Sequence, residues 1–176
     1  GYWWLAYNYK NYRLSCEKCN RKFDGGGKSD HFPLKEGVNP ASYPEQGEDN
    51  YMLIDPCCAE DVALVGYNDE GRTIPLSQDP WEIKRVKCSR WIYNLDVFNN
   101  ARKKVQNQSK MALQLFEMAF ESNRDLLPAI EELIALTDDK SPYSSVARQY
   151  ILMKISNKPY EETLRRIIEG GRNHEQ

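Results

Sequence analysis

No apolar run in this chain approaches the roughly 18 residues a membrane-spanning helix needs, so no membrane role is expected. Histidine is scarce, with only His31 and His174 among 176 residues. No repeat with a period of 20–50 residues is visible, which excludes solenoid and propeller arrays. Net charge is only −2, so bulk charge does not announce a nucleic-acid binder. The five Cys carry no secretion signal before them, which fits a reducing cytoplasm. The chain opens Gly1-Tyr2-Trp3-Trp4 without Met, and we expect its true N-terminus to lie upstream.

What is present is unevenly placed. Residues 1–35 carry seven Lys/Arg against three Asp/Glu, residues 36–80 one against ten, and residues 81–176 sixteen against thirteen. The basic opening is rich in aromatics, with Tyr2, Trp3, Trp4, Tyr7, Tyr9 and Tyr12. That mixture serves either a phosphate backbone or a strand-rich core face with solvated lysines.

Two regions follow from this patterning. Residues 1–78 hold eight of the ten Gly and four of the five Cys, and read as short strands and loops around a small site. Tyr2–Tyr9 reads as a strand or a buried irregular segment, strands are expected at Tyr12–Cys16 and Tyr51–Ile54, and helical turns over Glu17–Phe23 are stopped by Gly25-Gly26-Gly27. Residues 63–67 and 72–76 read as a hairpin. Residues 79–176 show helical periodicity. Asp79-Pro80 starts one helix, and others are expected over 96–121, 125–138, 142–155 and 159–170. The helix over 96–121 is expected to bury Phe98, Val105, Ala112, Leu115 and Ala119, with Arg102, Lys103 and Lys104 on a solvated face. The fold class is thus α+β with an α-helical C-terminal region.

The chemistry concentrates in Asn11-Tyr12-Arg13-Leu14-Ser15-Cys16-Glu17-Lys18-Cys19-Asn20-Arg21-Lys22. Cys16 and Cys19 form a Cys-x-x-Cys, a spacing that lets two thiolates bind one tetrahedral zinc ion. A redox pair and two structural core cysteines are the alternatives. Cys57 and Cys58 are adjacent, so in an extended chain they point opposite ways and do not easily share a metal. Cys88 reads as a core residue.

The order Asn, four residues, Cys-x-x-Cys, Asn, then basic residues resembles the HNH endonucleases and their ββα-metal motif. The resemblance extends in ordered blocks over residues 1–76. These are Tyr2-Trp3-Trp4-Leu5-Ala6-Tyr7, Gly26-Gly27-Lys28, Phe32-Pro33-Leu34 and Leu53-Ile54-Asp55-Pro56-Cys57-Cys58. It is similar in particular to the HNH subunits of Septu-type and retron-linked anti-phage systems, which work beside an ATPase.

The resemblance implies metal-dependent hydrolysis of DNA phosphodiester bonds. Cys16 and Cys19 would give half of a structural Zn²⁺ knuckle. Asn20 would be a ligand of a catalytic Mg²⁺ or Mn²⁺, since an amide oxygen suits a hard ion. Asn11 would orient the catalytic His. Lys10, Arg13, Lys18, Arg21, Lys22 and Lys28 would contact phosphates.

Two departures stand out. The family's first strand, with its His base, would lie before Gly1. The third motif position is Asn20 rather than His. His31 is a replacement base or a surface residue, and the relatives' tolerance of other residues there favours the surface. A non-catalytic zinc-knuckle binding module and a partner-docking protein are the rival functions. The domains are then 1–78, a partial HNH nuclease domain, and 79–176, a helical region.

Overall fold

The computed structural model describes residues 3–21, 27–42 and 50–170, without the Lys18 side chain. Lys22, the Gly25-Gly26 stop and His174 lie outside them. The elements in chain order are α1 (Glu17–Asn20), α2 (Ala59–Ala63), β1 (Val65–Tyr67), β2 (Thr73–Pro75), α3 (Pro80–Ile92), α4 (Asn99–Glu121), α5 (Leu127–Thr137), α6 (Ser144–Ile155) and α7 (Glu161–Gly170). The class is α+β, mostly helical, with one two-stranded antiparallel sheet, β1-β2, among the described residues. The chain divides into two compact units: Gly1–Gly66 with Thr73–Val97, and Tyr67–Arg72 with Phe98–Gln176. Helix α3 therefore belongs with the loop-rich half.

The first unit differs from its sequence reading in its strands. Trp3–Leu5 and Tyr9–Asn11 are 3₁₀ turns, and residues 12–16 are extended chain outside any sheet. The aromatic opening is no core face: Tyr7 is 97% exposed and Tyr9 76%. Residues 51–54 make one antiparallel bridge, Leu34 with Tyr51, in place of a strand. The reason lies in α3, which takes the backbone groups a sheet would have used. The Ile54 N–H donates to Ser89 Oγ (2.8 Å), Arg85 Nη2 donates to the Leu53 carbonyl (3.1 Å), and the Tyr93 hydroxyl donates to the Ile54 carbonyl (3.3 Å). Met52, Leu53 and Ile54 are buried there.

Helix α3 begins as its sequence dictates. The Asp79 carboxylate accepts from the N–H groups of Trp81 (2.9 Å) and Glu82 (3.0 Å), and Pro80 occupies the first turn. The hairpin is also where the turn residues put it. Asn68 Oδ1 accepts from the N–H groups of Glu70 (3.2 Å) and Arg72 (2.9 Å), closing the loop. Gly71 has φ +73°, and a Cβ there would collide with the Asn99 carbonyl and lie 2.8 Å from the Lys103 backbone nitrogen. Only glycine admits that approach of α4.

In the second unit α4 packs on α5 and α6, and α7 on both of the latter. Phe116, Leu133, Ile151, Ile155 and Leu164 form its core. The helix extents follow the sequence, but the rotation of α4 about its axis does not. Its buried residues are Arg102, Gln106, Ser109, Ala112, Leu113 and Phe116. Leu115 is 57% exposed, in a stripe with Met111 and Met118 on the opposite side. Polar residues on the inner face misdirected the apolar count. Ser109 Oγ returns to the Val105 carbonyl at 2.9 Å, and the Gln106 amide donates to the Asn68 carbonyl at 2.9 Å.

Arg102 corrects a second expectation. It is buried, its guanidinium 5.1 Å from the Tyr67 ring centroid and 5.7 Å from that of Phe98. Lys103 and Lys104 stay exposed, so the basic triplet is one structural cation and two solvated ones. Accordingly Phe116→Ala should cost about 3–5 kcal/mol, whereas Leu115→Ala should stay within about 0.5 kcal/mol of the parent. Urea unfolding of both variants measures the difference.

Candidate metal and nucleic-acid site

Cys16 caps the short helix α1, and Cys19 lies on it. Their sulfurs converge at 3.3 Å. One tetrahedral ion, bound at roughly 2.3 Å to each sulfur, wants its ligands slightly farther apart, so the pair needs only a small opening to share one. Among the described residues, no group of three or more His, Cys, Asp or Glu is placed to hold a metal. The donor chemistry present thus fits half of a four-ligand thiolate site.

The turn that follows is built around the same helix. The Lys28 N–H donates to the Cys19 carbonyl (2.7 Å) and the Ser29 N–H to the Asn20 carbonyl (2.6 Å). Gly27, at φ +99°, and Ser29, at φ +43°, let the chain double back. The Asn20 side chain is left exposed at the end of α1. Asn11 is also exposed, closing the turn Tyr9–Asn11, with its N–H donating to the Asn8 carbonyl (2.9 Å).

The sequence blocks far apart in the chain meet here. Arg13 Nε donates to Asp55 Oδ1 (2.6 Å), its Nη2 donates to Asp55 Oδ2, and its Nη1 reaches the carbonyls of Lys10 (2.6 Å) and Tyr12 (2.9 Å). Phe32-Pro33-Leu34 joins as well, since the Met52 N–H donates to the Pro33 carbonyl at 2.9 Å. Asp55 also accepts from the Cys57 N–H (2.9 Å), while its own N–H donates to Asp61 Oδ2 (2.8 Å). Asp61 in turn holds Arg85 through two bonds of 2.6 and 2.7 Å, with side-chain exposures of only 8% and 12%. Sequence reasoning missed this chain of charges. Its signal was the acids Asp55 and Asp61 beside the apolar Met52-Leu53-Ile54, with Arg85 on α3 as a distant counter-charge.

The candidate phosphate contacts separate accordingly. Arg13 is committed to Asp55 and positions the 51–58 segment. Arg21 pairs with Glu17 one turn back, both largely exposed. Such a surface pair contributes about 0–1 kcal/mol and yields readily to a phosphate. Lys10 is exposed, and Lys28 is half-buried with its Nζ 6.0 Å from the Phe32 ring centroid. Lys18 lies on α1, and Lys22 outside the described residues. Cys57 is exposed, and the half-buried Cys58 approaches Glu60 Oε2 at 3.1 Å. Cys88 is half-buried on α3, where burial pushes its thiol above the ordinary range. His31 lies at the surface, its ring 6.2 Å from that of Trp91.

Electrostatics follow the geometry. The Arg13 hydrogen bonds hold the Asp55 carboxyl below the usual carboxylate range against the opposing effect of burial. Burial pushes the Tyr93 phenol up to about 12, so it stays a hydrogen-bond donor to Ile54.

Because the folded pKa of Asp55 is depressed, the pair stabilises the protein above the unfolded carboxylate pKa of about 4. That contribution is lost as pH falls through the lower folded value. Asp55→Asn should therefore flatten the fall in stability below about pH 4, read from urea melts across the acid range. Asp61→Ala leaves Arg85 buried without its partner and should cost about 3–5 kcal/mol, measured the same way at neutral pH.

Comparison with known proteins gives one partial likeness. The chain is 32% identical over 72 residues to the Septu protein PtuB of Bacillus mycoides, a stretch covering 40% of this chain and 23% of that protein. No protein-family model matches the chain, and no solved structure matches it. No helix among the described residues is long and apolar enough to cross a membrane.

Proposed function

We propose that this chain carries part of an HNH-type endonuclease that hydrolyses DNA phosphodiester bonds in anti-phage defence. The observation that supports it most is the convergence of Cys16 and Cys19 at 3.3 Å on the helix that leaves Asn20 exposed. The likeness to a Septu protein supports the defence setting.

In this reading Cys16 and Cys19 hold a structural zinc ion and stiffen the turn. Asn20 offers its amide oxygen to a catalytic divalent ion, magnesium or manganese, which when bound stabilises charge on the phosphate and the leaving oxygen. Asn11 is a positioning residue for the water-activating His. Lys10, Lys18, Arg21, Lys22 and Lys28 lie along the same stretch as Asn20 and hold the strand's phosphates without reading its bases. Arg13 keeps the knuckle attached to the buried 52–54 segment through Asp55. An ATPase subunit is the partner this setting implies, and it would govern when the nuclease acts.

The full-length protein should nick or cut DNA with Mg²⁺ or Mn²⁺. Asn20→Ala should lose most of that activity, at least about tenfold, while melting with the parent. A cleavage rate unaltered by the substitution would remove Asn20 from the metal site. Cys16→Ser should lower the zinc content of the purified protein and its melting temperature together; unchanged zinc would reject the knuckle.

A further inference from the structure

An open groove of about 490 Å³ lies on the first unit, lined by Asp30, His31, Phe32, Pro33, Cys88, Trp91 and Ile92. Its size falls in the roughly 300–1,000 Å³ range of small-ligand sites. Trp91 is 62% exposed and Phe32 46% exposed. The Trp91 and His31 rings are 6.2 Å apart at 55°, flanking the opening rather than closing it. Buried Ile92 and half-buried Cys88 add apolar surface to the lining.

The rim is charged. Lys84, Lys87, Cys88 and Trp91 follow one another at helical spacing, so both lysines share a face of α3 with the exposed indole. Lys87 is exposed, and Lys84 is only loosely held, 3.9 Å from Glu36. Lys28 Nζ lies 6.0 Å from the ring centroid of the lining residue Phe32. Asp30 is the carboxylate within the lining. An exposed aromatic face with cations one and two turns away complements a base and its flanking phosphates, the pairing used for single strands. The lining segment Asp30–Pro33 follows α1 through a short turn. The Ser29 N–H donates to the Asn20 carbonyl, and the His31 N–H to the Lys28 carbonyl at 2.8 Å.

We propose that this groove binds an unpaired nucleotide of a DNA strand, its base against Trp91 and its phosphates on Lys84 and Lys87. This rests on the nuclease reading and names the state of its substrate: a strand with at least one base out of the duplex. Asp30 then serves as an acceptor for an exocyclic amino group, which favours bases that carry one. A paired base cannot present its face to Trp91, so duplex of the same sequence binds more weakly.

The test is fluorescence anisotropy of a labelled ten-nucleotide DNA strand with the full chain, without added divalent metal. Trp91→Ala should weaken binding roughly 5- to 100-fold, and Trp91→Phe, which keeps a ring, should restore most of it. Lys84→Gln with Lys87→Gln should lower the salt slope by about one unit or more. Strand affinity unchanged in Trp91→Ala, or duplex bound as tightly as strand, overturns the proposal. So does quenching of the Trp91 indole by a proline-rich peptide but not by the strand. Asn20→Ala separates the two readings. Strand binding lost in Trp91→Ala, with cleavage untouched by Asn20→Ala, keeps the groove and sinks the nuclease site. Cleavage lost in Asn20→Ala, with strand binding untouched in Trp91→Ala, does the reverse.

Discussion

The first unit depends on one buried ion pair, Asp61 with Arg85. Asp61 lies on a five-residue helix too short to be stable by itself. Arg85 fixes it to α3, and its second carboxylate oxygen takes the Asp55 N–H. Arg85 also takes the Leu53 carbonyl. The segment 53–61 is therefore held at both ends by side chains of α3 and at Asp55 by Asp61, without any sheet. A buried pair of this kind is a poor source of net stability. What it supplies here is a defined path for a loop whose backbone groups would otherwise be buried unmatched.

From that path the candidate site inherits its order. Asp55, oriented by Asp61 and the Cys57 turn, presents both oxygens to Arg13. Two residues separate Arg13 from Cys16, so a guanidinium ties the Cys16–Cys19 turn to the 51–58 segment. Lys10, Asn11, Asn20 and Arg21 accordingly lie exposed on a short helix and tight turns. That suits chemistry on a large substrate, which must be reached from outside the protein.

The two units use polar residues in contrasting ways. In the second, Arg102, Gln106 and Ser109 are buried on α4, where carbonyls of the hairpin turn and of the helix itself accept from their side-chain donors. In the first, Arg13 and Arg85 bind acids forty-two and twenty-four residues away in sequence. Local partners let α4 keep a polar inner face. Distant partners are what fold a segment rich in Gly, Pro and acids.

The sequence by itself determined the start of α3 and the approximate extents of α4 to α7, since caps such as Asp79-Pro80 and breaks such as Ser141-Pro142 act through neighbouring backbone groups, but it did not show α2. It determined the hairpin, because Asn68 and Gly71 serve their own turn, and it marked Cys16, Cys19 and Asn20, because a Cys-x-x-Cys followed by an amide needs only local spacing. Tertiary structure alone decided which side of α4 is buried, because apolar Met111, Leu115 and Met118 and polar Gln106 and Ser109 compete for the interior, and only their partners settle it. It decided that residues 51–54 bond to α3 rather than to a strand, and that Arg13 serves Asp55. Those outcomes depend on charges and donors brought together from distant positions, and no periodicity along the chain records them.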